Sequence, residues 1–264
     1  MKSNGPVRIA VSGALGRMGS LIIEEACRQP SHFQVAAALE QAGHPQLGQP
    51  LACAPTLRSE GDAAAALARA ELLIEFTTPE ASLAHAAAAA SARVPMLIGT
   101  TGFTPQQTEQ LKAHARRIPI FWSPNMSLGI VVVRRAIGAI SELLFNFGLA
   151  EKTKVSMAET HHTRKKDAPS GTAKALRDEL LKHTGWLIKD EEIEAKREGE
   201  VIGIHSLTFE CESEKITLTH EATDRRVFAQ GALVVARRFR ELWSQPGWYG
   251  MDDFVSAMQK ARVP

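Results

Sequence analysis

Between Glu159 and Ala173 the chain gathers two adjacent imidazoles, His161 and His162, and three consecutive cations, Arg164, Lys165 and Lys166, just before Ser170-Gly171-Thr172. An imidazole, with an unperturbed pKa of about 6.5, can give up a proton near neutral pH, and a lysine can stabilise developing negative charge or draw in an anion. A strand over Thr153 to Ala158, with Val155 and Met157 on alternate positions, leads into this loop. It leaves into a helix over Thr172 to Lys182, where Ala173, Leu176, Leu180 and Leu181 recur at helical spacing and Pro169 with Ser170 supplies the N-terminal punctuation. A helix start has unpaired N–H groups and a partial positive charge, so an anionic substrate is its natural guest. Adjacent histidines on extended backbone point to opposite faces, and no Cys pair or second His cluster completes a ligand set, so no metal is expected. Read alone, the cation run is a solvated basic face.

Other segments must position this loop and supply its reaction partner. Val7 to Val11 is a short apolar run ending in Gly13-Ala14-Leu15-Gly16-Arg17-Met18-Gly19, after which Leu21, Ile22, Ile23 and Ala26 continue as a helix. Strand, glycine turn and helix are what a dinucleotide-binding unit requires, because the turn lets the backbone approach the pyrophosphate at the helix N-terminus. Val35 to Leu39 forms a second apolar run closed by Glu40, where a carboxylate can accept from ribose hydroxyls. The alternation continues through helix Ala63 to Ala70, strand Leu72 to Phe76, helix Pro79 to Ala92, strand Pro95 to Ile98, helix Pro105 to Arg117 and strand Ile120 to Trp122. This pattern predicts an α/β fold, a Rossmann-like doubly wound parallel sheet with its loops gathered at the carboxyl ends of the strands. After a long helix over Gly129 to Phe145, the strand candidates Thr153 to Ala158, Val201 to Cys211 and Lys215 to Ala222 lack crossovers. They predict a second α+β domain on a mixed or antiparallel sheet. From Ala229 the chain is helical through Leu242.

The run His161-His162-x-x-Lys165-x-Asp167-Ala168-Pro169-Ser170-Gly171-Thr172-Ala173 resembles the signature of the 4-hydroxy-tetrahydrodipicolinate reductase family, also called dihydrodipicolinate reductase. The Gly-Arg-Met-Gly turn, Glu40, the turn Gly99-Thr100-Thr101 and the segment Ser123-Pro124-Asn125-Met126 leading to Asn125-x-Ser127-x-Gly129 resemble family loops as well. Two departures stand out. Glu75 precedes Phe76-Thr77 where Asp is expected, and the Arg-Gly-Gly-Asp-like stretch usual after a segment such as Ile202 to Ser206 is missing, Leu207 leading straight towards Cys211 and Lys215.

The resemblance implies reduction of a cyclic dicarboxylate with NADH or NADPH in lysine and diaminopimelate biosynthesis. It implies His161 as proton donor, Lys165 as second cationic catalytic group, and His162 with the Gly171 and Thr172 amides on a substrate carboxylate. Coenzyme contacts are expected from Gly13, Ala14, Leu15, Gly16, Arg17, Met18, Glu40, Gly99, Thr100, Thr101, Ser123, Pro124, Asn125 and Met126. Glu40 would repel a 2′-phosphate and Gln41 follows it where an arginine is often found, so NADH is the expected coenzyme, ahead of NADPH. The implied organisation is a dinucleotide-binding domain over 1–128, completed by 237–264, and a substrate-binding and oligomerisation domain over 129–236. A homotetramer is expected, with a dimer as the alternative where the shortened sheet reduces the contact. Two other readings, a different two-domain NAD(P)-dependent dehydrogenase of a small carboxylate and a non-catalytic NAD-sensing protein, account less well for the Asp-Ala-Pro-Ser-Gly-Thr segment.

Composition narrows the field further. The chain has 31 Lys and Arg against 29 Asp and Glu, a near balance that argues against a nucleic-acid partner. Its most apolar stretch, Gly129 to Ala150, carries Arg134, Arg135 and Glu142, which argues against a membrane span. No secretory signal is expected, the first apolar run stopping at Gly13. Cys27, Cys53 and Cys211 form no motif, so a reduced, cytoplasmic setting is expected rather than a disulfide framework.

Overall fold

The computed structural model describes residues 5–260, with side chains throughout except at positions 56 and 57. In chain order the elements are β1 (Val7–Ser12), α1 (Arg17–Cys27), β2 (Phe33–Leu39), β3 (Pro50–Leu51), β4 (Ala54–Glu60), α2 (Ala63–Ala68), β5 (Leu72–Glu75) and α3 (Pro79–Ala92). There follow β6 (Met96–Ile98), α4 (Pro105–Ala115), β7 (Pro119–Trp122), α5 (Leu128–Asn146), β8 (Lys154–His161), α6 (Gly171–Thr184), β9 (Ile193–Arg197), β10 (Gly203–Glu210) and β11 (Lys215–Ala222). The last three are α7 (Arg226–Leu242), β12 (Gly247–Tyr249) and α8 (Met251–Lys260). They form two units: Ser127–Val227 is one, and the chain before and after it makes the other.

The first unit holds the sheet β12-β7-β6-β5-β1-β2-β4-β3, parallel except where β3 runs against β4. Its central strands are buried on both faces, which is why they read as unbroken apolar runs: Ile9, Leu73, Ile74, Leu97 and Ile98 have no exposed surface. The crossover helices are cut by local chemistry. Thr78 caps α3, with Pro79 at its first turn, and Thr104 and Gln107 form a reciprocal capping box on α4. Beyond α7, Trp243 packs on Phe121, Phe239 and Tyr249 with ring centroids 5.2, 5.1 and 5.2 Å away, which fastens the last segment to this sheet.

Two features of this unit differ from the sequence reading. The hairpin β3–β4 was not predicted, since its first strand has only two residues. Its turn brings Cys53 to the end of α1, where it forms a disulfide with Cys27 across a Cα–Cα distance of 6.2 Å. The expectation of no disulfide is thereby corrected. Pairing depended on a long-range contact that no spacing between these cysteines signals.

The second unit is built on the mixed sheet β11-β10-β8-β9, antiparallel at β11/β10 and β10/β8 and parallel at β8/β9. Its core joins Ile137 of α5 and Leu176 and Leu180 of α6 to Met157, Leu207 and Phe209 of the sheet. β11 is an edge strand, joined to β10 by a short turn closed by Cys211 N–H on the Glu214 carbonyl at 2.8 Å. Strand β9 occupies the stretch near Lys189 to Glu200 that the sequence shows only as polar, because this second edge buries little more than Ile193. Strand β8 runs three residues beyond the predicted end at Ala158. His161 therefore closes a strand and is not a loop residue.

Candidate active site

The predicted coenzyme residues lie at the carboxyl ends of β1, β2, β6 and β7, all in the first unit. The order β6-β5-β1-β2 makes the end of β1 the switch point of a doubly wound sheet, where such folds bind dinucleotides. Gly13 has φ +71°, and a Cβ there would lie 2.4 Å from the Phe76 carbonyl; one on Gly19 would lie 2.0 Å from the Gly13 carbonyl. Only glycine permits this turn, and α1 starts from Gly16 with no side-chain cap, so the fit to a pyrophosphate is retained. Glu40 is tied to the same turn, accepting from Leu15 N–H at 3.0 Å and Gln41 N–H at 2.9 Å.

The neighbouring loops are equally determined. Gly99 is needed because a Cβ would sit 2.2 Å from the Phe76 ring. Thr100 Oγ1 accepts from Thr77 N–H at 3.0 Å, and Ser123 bonds to the Ile98 carbonyl through its N–H (3.1 Å) and to the Asn125 carbonyl through its hydroxyl (2.6 Å). The Glu75 departure is absorbed locally. Its fully buried carboxylate accepts from Thr77 Oγ1 and from Ser82 Oγ at 3.2 Å, and lies 2.8 Å from His85 Nδ1.

In the second unit, β8 delivers His161 to the start of α6. Ser170 caps that helix, its Oγ accepting from Ala173 N–H at 3.1 Å. A Cβ at Gly171 would meet nothing within 4 Å, so space is open before the first turn. Lys165 reaches Asp167 with both oxygens 2.8 Å away, whereas Arg164 turns to the exposed Glu200. Ser127 and Gly129 have structural reasons: Ser127 caps α5 and sits 3.1 Å from His220 Nε2, and a Cβ at Gly129 would lie 2.8 Å from that ring.

Sequence reasoning missed the groups around His161. Glu159, 1% exposed, accepts from Ser170 N–H at 3.0 and 3.2 Å and from Arg197 at 3.2 Å. His205 stands edge-on to His161 with centroids 4.9 Å apart, its Nε2 3.2 Å from Ser170 Oγ. Burial pushes both His161 and His205 down to about 4, more strongly than Glu159 raises them, so both rings are neutral at pH 7. Neither ring keeps the unperturbed imidazole value of about 6.5. His162 is also lowered, by burial and then by Arg225 and Arg164. Ligand atoms of Glu159, His161 and His205 lie within 4.8 Å of one another. A cation there would sit beside Lys165 and beside Arg197, which already pairs with Glu159, so the set reads as an ion-paired hub.

Both units match known protein families. The family models described as dihydrodipicolinate reductase, N-terminus and C-terminus, match residues 7–126 and 129–255. This chain belongs to the dihydrodipicolinate reductase family. Among its relatives, the 4-hydroxy-tetrahydrodipicolinate reductase of Ralstonia nicotianae is 34% identical, covering 94% of this chain and 99% of its own. That of Nitratidesulfovibrio vulgaris is 37% identical, covering 94% and 98%. A dipicolinate-bound dihydrodipicolinate reductase from Paenisporosarcina sp. TG-14 shares the fold, with a TM-score of 0.73 at 20% identity over 95% of this chain and 99% of that one. The chain is thus an NAD(P)H-dependent oxidoreductase by family. Among the described residues no helix is long and apolar enough to cross a membrane.

Proposed function

We propose that the protein reduces 4-hydroxy-tetrahydrodipicolinate to tetrahydrodipicolinate, with loss of water, in lysine and diaminopimelate biosynthesis. The carrying observation is that one junction, from the end of β8 to the start of α6, presents an imidazole, a lysine and an open helix N-terminus. A bound nicotinamide coenzyme supplies the hydride for C4. His162 and the amides of Gly171 and Thr172 hold a substrate carboxylate, and Lys165 draws in the dianion and stabilises the charge that hydride addition leaves. His161 neutralises that charge by giving up a proton. In this reading the parallel-sheet unit carries the coenzyme, through Gly13 to Met18, Glu40, Gly99 to Thr101 and Ser123 to Met126, and the Ser127–Val227 unit carries the substrate.

A ring held near 4 even beside Glu159 has no proton to give at pH 7 until further negative charge arrives. The substrate's carboxylates bring that charge, so His161 takes up its proton on binding. Calorimetry of pyridine-2,6-dicarboxylate binding at pH 7, in buffers of different ionisation enthalpy, is expected to show proton uptake that is lost in His161→Ala. Binding with no uptake, or with uptake unchanged in the variant, contradicts this step.

For assembly we propose a homotetramer joined through the second unit. The edge strand β11 needs covering, and α5 with its following turn exposes Val132, Leu143, Phe145 and Phe147, each more than half accessible. Light scattering after size exclusion across a hundredfold dilution should give a tetrameric mass falling towards a dimer; a monomer throughout would refute it.

A further inference from the structure

We infer that Glu159 is a positioning residue for the proton donor: its buried carboxylate fixes the orientation of the His161 ring and holds Nδ1 inward, leaving Nε2 to transfer the proton. The inference rests on the proposal that His161 is the donor.

Glu159 and His161 are alternate residues of β8 and share its inner face with Met157. Nδ1 of His161 is fully buried without a hydrogen-bond partner, and Glu159 Oε2 lies 3.7 Å from it. That gap is too long for a hydrogen bond to a neutral ring, but closing it by about 1 Å gives a charge-assisted bond once Nδ1 carries a proton. Nε2 lies over Gly203, where a Cβ would be 3.1 Å away, so the glycine leaves that nitrogen its space. Glu159 Oε2 is equally 3.7 Å from His205 Nε2, so one oxygen faces both rings.

The carboxylate cannot drift. Ser170 N–H binds both its oxygens, and Arg197 of β9 bonds to it while also donating to the carbonyls of Lys165 at 3.3 Å and Asp167 at 2.5 Å. The same guanidinium therefore couples Glu159 to the loop that carries Lys165. The charged and titratable groups facing His161 are Glu159 on β8, Lys165 and Asp167 in the loop, Arg197 on β9 and His205 on β10. Glu159 is the fixed negative charge nearest the ring, since Asp167 is engaged by Lys165. It stabilises the imidazolium without touching the substrate.

Glu159→Gln keeps the shape and removes the charge. Because that charge raises the His161 pKa, its loss should move the alkaline limb of the kcat–pH profile down by about one unit and lower kcat by about a hundredfold, with KM for NADH unchanged. Glu159→Asp retains a charge for Arg197 but withdraws it by one methylene, and should shift the limb the same way by less. Circular dichroism establishes that each variant is folded; should Glu159→Gln not fold, Glu159→Asp decides alone. A limb that stays in place in the folded variants overturns the inference, even if activity falls, because a purely structural carboxylate would give that result. Full turnover in His161→Ala would overturn the donor assignment and this inference together, whereas an inactive His161→Ala beside an unmoved limb overturns this inference only.

Discussion

His161→Ala and Lys165→Ala are each expected to lower kcat by about 10²–10⁴-fold, the range for losing a positioned acid or a group that stabilises developing charge. That corresponds to roughly 3–5 kcal/mol of transition-state stabilisation. The two side chains belong to the Ser127–Val227 unit, while the residues proposed for the coenzyme belong to the other, so KM for NADH should stay near its original value. Losing His161 also leaves a cavity on the inner face of β8, so the thermal midpoint must be measured beside kcat. Lys165 is a cleaner probe, because its side chain is about a fifth exposed and, among the described residues, is paired with Asp167 of its own loop alone. Arg164→Ala serves as the control, its guanidinium being held by Glu200 at the surface, and should keep turnover within a few-fold. Unchanged turnover in both His161→Ala and Lys165→Ala would remove the catalytic assignment.

NADH should exceed NADPH in kcat/KM by about tenfold or more. Glu40 is fixed at the end of β2 by the Leu15 and Gln41 amides, so its carboxylate cannot swing clear of a phosphate on the adenosine ribose. Like charges at about 4 Å cost about 1 kcal/mol in water, roughly fivefold, and more where the surroundings are less polar, which carries the ratio to about tenfold. Arg17, exposed at the start of α1, is the cation best placed to soften that repulsion. Glu40→Gln removes the repulsion but weakens the ribose contact, so the variant should narrow the ratio from both sides. A wild-type kcat/KM that is higher with NADPH would contradict the role given to Glu40.

How much of this was legible in the sequence depended on the range of the interactions concerned. The parallel sheet was readable because its strands are buried on both faces and its crossover helices carry their own caps at Thr78 and Thr104, all local signals. The glycine turn was readable for the same reason, although only the structure shows that the Phe76 carbonyl and ring are what exclude side chains at Gly13 and Gly99. Strand β9 escaped because an edge strand carries little apolar periodicity and the hairpin β3–β4 because its first strand has only two residues; the Cys27–Cys53 pairing escaped with the hairpin.

At the site, His161, Lys165 and the cap Ser170 could be named from one contiguous motif. The hub behind them could not, because Arg197 and His205 come from strands more than thirty residues away. Glu159 was the exception. Its i, i+2 spacing from His161 in a strand already places both on one face, a signal that extending β8 past Ala158 would have exposed. The lowered pKa of His161 was hidden for the same reason, since a histidine read as a loop residue is not expected to be buried.

The most direct measurement is NADH consumption at 340 nm by the purified protein, supplied with freshly made product of the synthase that precedes this step. Rapid, substrate-dependent oxidation of NADH, slowed about a hundredfold or more in His161→Ala, is the predicted result. No oxidation of either NADH or NADPH by folded wild-type protein would contradict the assignment of this chain as a working reductase.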